Sequence, residues 1–234
     1  MNKRGVSTVE MIVSFTIFLS FVLFIFLYLN PLKSDISQSL LVSLESGLKE
    51  HAMTDLREWP VAVNKSSAPD CLDIEIPFNS TEVNIGNISV KDLNDDTLEY
   101  KLVGDHLYIK KINDKLYRII QSDEIERTDT LKSACDVPTI PPQYEFSVER
   151  IDRIYSYKRL LEINMTYYAD YKQAKQGLNY PSNSDFAVII TSNEFNITMT
   201  RSIPPNIQLR ARTLPIEILK NDNRIRAFMS MYVW

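Results

Sequence analysis

Glycine, histidine and cysteine are scarce in this chain of 234 residues, which contains five, two and two of them. So few glycines argue against the Gly-rich loops that hold phosphates, because those loops need several residues without side chains. The two histidines, His51 and His106, have no ligand-like spacing to either cysteine, and a hydrolase triad would need one of them beside its nucleophile. We therefore expect no enzyme, no metal site and no cofactor.

The chain also lacks a strong charge of either sign. Its formal net charge is −4, and acidic and basic residues are interspersed along it. A nucleic-acid-binding protein would show a basic stripe or patch, so we expect no nucleic-acid partner.

A long apolar run is present near the N-terminus. From Met11 to Leu29 the sequence carries no charged residue, and as a helix this run would be about 28 Å long, close to the thickness of a bilayer core. No small-residue cleavage site follows it, so the run is expected to be retained. Lys3 and Arg4 precede it, which predicts a single-pass protein of the cell membrane with a cytoplasmic N-terminus and an extracellular C-terminal domain.

The residues before the run form a recognisable pattern, Lys3-Arg4-Gly5 followed by Val6-Ser7-Thr8-Val9-Glu10. This pattern resembles the class III signal of type IV pilin-like proteins, including archaeal ones, and is also similar to the start of Tad-type pseudopilins. The resemblance implies that a prepilin peptidase cuts between Gly5 and Val6. It also implies that Glu10 pairs with the new amino terminus of a neighbouring subunit, where an unpaired buried charge would be costly.

The same resemblance implies a function and a set of partners. The chain would be a pilin-like subunit, and the size of its exterior domain favours a minor one, of a type IV pilus-like surface filament. It would be anchored by its N-terminal helix before assembly. The partners would be the membrane, the prepilin peptidase, an assembly ATPase with its platform protein, and other pilin-like subunits. Two alternatives stay open: an uncleaved signal anchor, and a non-polymerising membrane-anchored ectodomain that binds a surface ligand.

The two cysteines, Cys71 and Cys135, both follow the apolar run. In an exterior domain they are expected to form a disulfide, with two free buried thiols as the alternative. Five N-x-S/T sequons also follow the run and are possible N-glycosylation sites on an exterior surface. They are at Asn64, Asn79, Asn87, Asn164 and Asn196.

Hydrophobic periodicity divides the chain into four parts: a leader (1–5), a transmembrane or filament-core helix (6–30), an amphipathic stalk helix (31–58) and an exterior β-rich α+β domain (59–234). In the stalk, Leu32, Ile36, Leu40, Leu44 and Leu48 recur every four residues. The expected fold class is therefore α+β, with a long N-terminal transmembrane and stalk helix followed by a β-rich domain with one further helix.

Within the exterior domain, alternating residues and turn signals predict several strands. An antiparallel meander is expected over residues 71–120, with a hairpin at Gly104-Asp105. A helix is predicted over residues 150–176, and two hairpins over residues 185–200 and 208–233. The acidic run at residues 92–96 has the first oxygens of a calcium loop but not its glycine or closing glutamate, which favours a turn.

Overall fold

The computed structural model describes residues 8–28, 32–63, 71–76, 88–110, 116–126, 144–205 and 207–234. Side chains are described in these ranges except at residues 8–9, 27–28 and 32–37. The helices found there are α1 (Thr8–Tyr28), α2 (Leu32–Ala52), α3 (Tyr157–Ala169) and α4 (Tyr171–Gly177). The strands are β1 (Met53–Val63), β2 (Cys71–Glu75), β3 (Ile88–Lys91), β4 (Tyr100–Val103), β5 (His106–Lys110), β6 (Leu116–Gln121), β7 (Tyr144–Phe146), β8 (Arg150–Ser156), β9 (Phe186–Ser192), β10 (Asn196–Met199), β11 (Arg210–Lys220) and β12 (Asn223–Val233).

The predicted fold class is wrong. The described chain is mostly β, and its N-terminal part forms two helices, α1 and α2, in place of one long transmembrane and stalk helix. Within the described ranges, no helix combines the length and the apolar character that crossing a membrane requires. The second half contains two helices, α3 and α4, where one was predicted.

The stalk helix is shorter than predicted, because α2 ends at Ala52 and β1 begins at Met53. From there side chains alternate between buried and exposed: Thr54 and Leu56 are buried, whereas Asp55 and Arg57 are exposed. A period of two places every second side chain on the core face of a strand and would scatter them around a helix. Pro60 also lies within β1.

The helix predicted over residues 150–176 is also divided. Its first seven residues form strand β8, and α3 begins after Ser156, whose hydroxyl accepts a hydrogen bond from the Arg159 amide at 3.0 Å. Asp170 then ends α3 and starts α4, because its side chain accepts from the Gln173 amide at 3.0 Å. Both caps satisfy amides that a helix start leaves without partners.

Nine of the described strands form one sheet: eight follow the order β10-β9-β12-β11-β8-β1-β6-β3, and β7 pairs with β1 beside this path. β1 lies inside this sheet, with β6 on one side and with β8 and then β7 on the other. The hairpins β9–β10 and β11–β12 occur where the sequence predicts them. All described pairings in the sheet are antiparallel except the one between β11 and β8.

The pairing of β11 with β8 is short, since it involves only Ile218 and Leu219. Across the rest of β11, the one described partner strand is β12. Lys220 and Asn223 close the two-residue turn as a hydrogen-bonded pair, so the Lys220 amide faces β12. Amides alternate along the strand, so those of the odd-numbered residues of β11 face away from β12. Pro215 occupies one of these outward-facing positions and has no amide hydrogen to offer there.

The predicted meander is wrong in its pairing. Strands β4 and β5 do form the hairpin at Gly104, whose φ of 60° is in the left-handed region that glycine adopts without strain. β5 then pairs with β2 in a separate three-stranded sheet, whereas β6 joins β1 and β3 in the large sheet.

Three hydrophobic clusters follow one another along the molecule. The first contains Leu44 and Leu48 of α2, packed with α3, α4 and strands β9 to β12. The second is a small cluster around Leu56, and the third, around Val61, lies between the large and the three-stranded sheets. β1 leads from α2 through all three. We call residues 38–234 the head, its end near Gln38 the base, and the end with the three-stranded sheet the far end.

At Gly47, α2 lies close against the backbone of Leu178. A β-carbon built on this residue would lie 2.1 Å from the backbone oxygen of Leu178, just after α4. Only glycine leaves room for that carbonyl, so this position fixes how deeply α2 lies in the first cluster.

A buried carboxylate connects the chain after β6 to the start of α3. Glu124 accepts hydrogen bonds from the Ser156 hydroxyl and from the Lys158 amide, the latter at 3.1 Å. Burial raises the pKa of Glu124, and these hydrogen bonds oppose that rise. The beginning of α3 is thereby held to the middle of the large sheet.

Ion pairs hold the tip of the β11–β12 hairpin at the far end. Glu58 of β1 is 8% exposed and lies 3.4 Å from Arg118 of β6 and 3.3 Å from Arg224 of β12. Lys91, also buried, donates to the Asn223 side chain at 2.7 Å and lies 3.8 Å from Asp222. The hairpin therefore extends along the head from the base to the far end.

Candidate functional site

Helix α1 presents an apolar surface that the rest of the described chain does not cover. Of its residues with described side chains, all but Val22 and Ile25 are exposed; Met11 and Phe26, near the two ends, are 71% and 75% exposed. The large exposed side chains are Met11, Ile12, Val13, Phe15, Ile17, Phe18, Leu19, Phe21, Leu23, Phe24 and Phe26. They lie on all sides of the helix, and a helix that is apolar all round needs an apolar surrounding.

The polar groups of α1 are few and suit such a surrounding. The Thr16 hydroxyl donates to the Ile12 carbonyl at 2.8 Å, so its hydrogen bond is satisfied within the helix. Glu10 is exposed and lies in the first turn, where a negative charge is favourable to the helix dipole. Its position is compatible both with a role in the helix and with the predicted pairing to another subunit.

Several predicted sites lie outside the described residues. These are the cleavage residues Gly5 and Val6, the sequons at Asn64, Asn79 and Asn87, and Cys135. Cys71 is described: it begins β2, is partly buried, and takes part in a disulfide.

The two described sequons differ in accessibility. Asn196 is exposed at the start of β10, so a glycan there would extend into solvent. Asn164 lies within α3, half-buried, and its side-chain oxygen is buried without a hydrogen-bond partner. Of these two asparagines, Asn196 is the better acceptor for a glycan.

The far end carries a charged cross-strand contact on the three-stranded sheet. His106 Nδ1 lies 2.9 Å from Asp73 Oδ1, on an exposed surface. The hydrogen bond and the negative charge of Asp73 raise the pKa of His106. At pH values above the usual pKa of histidine, His106 is therefore still partly protonated. Its contact with Asp73 weakens as the pH rises further.

The acidic run at residues 92–96 forms a turn. Asp92 accepts hydrogen bonds from the amides of Asn94 and Asp96, at 2.8 and 2.9 Å, and Asp95 adopts a φ of 72°. These bonds occupy an oxygen that a cation would need. In the part of the chain that the structure describes, no group of three or more acidic, histidine or cysteine side chains is arranged to hold a metal ion.

The tyrosines around α3 contribute mainly to packing. Tyr167 and Tyr171 form edge-to-face and tilted contacts with Phe186, and Tyr180 joins them from the following loop. Burial raises the pKa of all three hydroxyls, which therefore remain protonated at neutral pH. The Tyr167 hydroxyl donates to the Phe186 carbonyl at 2.9 Å.

No protein-family model matches this chain, and no curated protein or solved structure is significantly similar to it. Its function is therefore inferred from its own residues, and above all from α1.

The sequence predicted this apolar segment but not a second surface at the base of the head. There the start of β11 lies beside the first described turns of α2, and a shallow cleft separates them. Its lining consists of Gln38, Leu41, Val42, Arg210, Ala211 and Arg212. These residues are far apart in sequence, and no local pattern joins them.

Proposed function

We propose that this chain is a pilin-like subunit, in a minor role, of a type IV pilus-like surface filament. The single observation that carries the proposal is α1, an apolar helix whose large side chains are exposed. This helix comes before the head in the chain, and the motif from Gly5 to Glu10 lies at its start. Assembly with other subunits would bury the large side chains of α1 against similar helices. Burial of that much apolar surface is a strong driving force for association.

The position of Glu10 supports the same assignment. It is the one charged residue in α1, and in a filament core its carboxylate would need a cationic partner. A new amino terminus at Val6, produced by a prepilin peptidase, is a suitable partner. An assembly ATPase and its platform protein would then move the processed subunit from the membrane into the filament.

The disulfide at Cys71 supports an exterior head, since disulfides persist where the surroundings are oxidising. The exposed sequon at Asn196 is compatible with that location. We propose that the head lies outside the cell and that the chain is held at the membrane until it assembles.

Processing is tested by the mass of the mature N-terminus. We expect chain recovered from the cells that make it to begin at Val6, because Gly5 has no side chain to cover the Gly5–Val6 bond against a protease. Replacing Gly5 with valine should leave the precursor uncut, whereas the same substitution at Thr8 should not. A mature chain that begins at Met1 would rule out prepilin processing and favour an uncleaved anchor.

Assembly is tested by replacing Glu10 with alanine. We expect normal processing but at least about a tenfold fall in the amount of protein in the sheared filament fraction, since a buried amino terminus would lose its partner. Glu50→Ala provides the matched control, because Glu50 is an exposed helical acid outside α1. Unchanged incorporation of the Glu10 variant would refute the pairing role. A processed chain absent from every filament fraction would favour the non-polymerising ectodomain.

A further inference from the structure

The base of the head combines basic and apolar side chains on one surface. Residues 210–212 lie there beside the first described turns of α2. Arg201 lines a separate cavity with Asp185 and Trp234, at the same end of the large sheet, and residues 202–205 and 207–209 lead from it into β11. We call the exposed members of this surface the base patch: Val42, Arg201, Ile203, Ile207, Leu209, Arg210 and Arg212. The patch lies where α2 leads back toward α1.

The base patch carries a positive charge that the described acidic residues around it neutralise only in part. No acidic residue occurs between Glu194 and Glu217. Arg212 pairs with Glu45 at 2.7 Å, whereas Arg210 has no ion pair with any described residue. Arg201 lies over the ring of Tyr171, with its guanidinium carbon 4.3 Å from the ring centroid.

The charged groups around the patch do not change its sign. Two further cations, Lys49 and Lys175, lie in salt bridges with Glu45 and Asp185. Together with the three arginines and with Glu50, which follows Lys49 on α2, this makes five cations and three acids, a net charge of +2.

The apolar members of the patch are exposed among these charges. Val42, Ile203, Ile207 and Leu209 are 53%, 46%, 43% and 40% exposed. Branched apolar side chains interspersed with arginines are typical of surfaces that lie at the interface of a bilayer. There the apolar groups enter the acyl boundary and the guanidinium groups bind lipid phosphates.

The far end has the opposite charge. Its described residues 71–76 and 88–110 contain seven acids and three lysines, a net charge of −4 with His106 neutral. The β11–β12 hairpin separates the two ends by about 35 Å, for eleven residues per strand at about 3.4 Å each. An anionic surface would therefore attract the base and repel the far end.

We propose that the base patch docks on an anionic phospholipid bilayer and holds the head upright on that surface. The charge of the patch, its exposed apolar side chains and its position beside the chain that leads to α1 all favour this partner. The proposal goes beyond the filament assignment and does not depend on it, because docking needs neither processing at Gly5 nor Glu10.

Hydrogen exchange of the full chain tests this docking. The protein is reconstituted into vesicles of phosphatidylcholine, with or without about one third of phosphatidylglycerol, and exchange is followed by mass spectrometry in peptides covering residues 201–212. A local readout is needed because the exposed apolar side chains of α1 would bind lipid of either kind. We expect slower exchange in the anionic vesicles only. The protection should fall when about 1 M salt shortens the screening length from about 10 Å to about 3 Å.

Two double variants distinguish an effect of the base patch itself from an effect of the total charge of the protein. R201Q/R210Q should lower the local docking constant by about thirtyfold, at about five- to sixfold per arginine near an anionic surface. R153Q/R226Q removes the same charge from exposed arginines outside the patch and should leave the protection unchanged. Leu209→Ser should weaken docking without changing its salt dependence.

Three results would overturn the proposal. The first is equal protection in vesicles without phosphatidylglycerol. The second is full protection in R201Q/R210Q, with the variant shown to be folded by its circular dichroism. The third is protection that appears in detergent without vesicles as the protein concentration rises, which would identify a second copy of the chain as the partner.

Discussion

Replacing Gly47 with alanine is expected to destabilise the head by about 2 kcal/mol or more, the largest effect we expect from a single added methyl group. The added β-carbon would lie 2.1 Å from the Leu178 oxygen and 2.9 Å from its carbonyl carbon. These are backbone atoms, so α2 or the chain after α4 has to move. Overpacking typically costs about 1–3 kcal/mol, and a clash with backbone atoms falls at or above the upper end of that range. The better helix propensity of alanine returns about 1 kcal/mol.

The effect can be measured by urea or thermal unfolding of the full chain in a mild detergent that covers α1. For a chain of this size, about 2 kcal/mol corresponds to a fall in Tm of roughly 4–8 °C. Gly177→Ala is the matched control, because Gly177 is also helical but a β-carbon there meets no atom within 4 Å. We expect that variant to be neutral or slightly more stable. An equal response at both positions would show that α2 does not pack against Leu178 as described.

Replacing Glu58 with alanine is expected to cost about 2–4 kcal/mol. Its side chain is 11% exposed and lies between Arg118 and Arg224, which are 26% and 30% exposed. Without the carboxylate, Arg118 and Arg224 would keep Asp95 and Asp152 as partners, at 2.6 and 2.7 Å, but would lose the buried negative charge that lies between them. The loss of one member of a buried ion pair is strongly destabilising, and the remaining partners reduce that cost. The partial exposure of the arginines keeps the expected cost below that of a fully buried pair.

Glu99→Ala is the control for this prediction. Glu99 also pairs with a cation, Lys110, but both side chains are more than half exposed. Such a surface pair contributes about 0–1 kcal/mol, so the variant should unfold close to the wild type. Equal losses in the two variants would contradict a special role for Glu58. A double variant with Arg224→Met should recover part of the loss at Glu58, because it removes one of the two opposed cations.

The parts of the fold that could be predicted are those set by nearby residues. The β9–β10 and β11–β12 hairpins were predicted because alternating side chains and polar turn residues such as Asn221 lie together in sequence. Gly104 marked the β4–β5 hairpin for the same reason.

The errors arose where a local pattern fits two structures. Ile151 and Ile154 fit a helical period, yet they lie in β8, because pairing with β1 and the cap at Ser156 decide the element. Similarly, Leu56 continues the apolar spacing of α2 but belongs to β1. Which strands share a sheet depends on contacts between distant segments, and a single sequence does not contain them.

The candidate sites show the same division. Gly5, Glu10 and the apolar run are contiguous, so the sequence alone predicts an assembly segment. The base patch was not predicted because Val42 and Arg210 are far apart in the sequence and come together only after folding. Similarly, the packing role of Gly47 needs the position of Leu178, which sequence spacing cannot supply.

Pro215 has a further consequence for an array of these molecules. Over most of β11, one side of the strand has no described partner strand, and a strand edge of that kind can join the same edge of another copy. Proline removes an amide from the middle of this edge, so a continuous ladder between two heads would be interrupted there. The heads can therefore be crowded along a surface or a filament without fusing into a shared sheet.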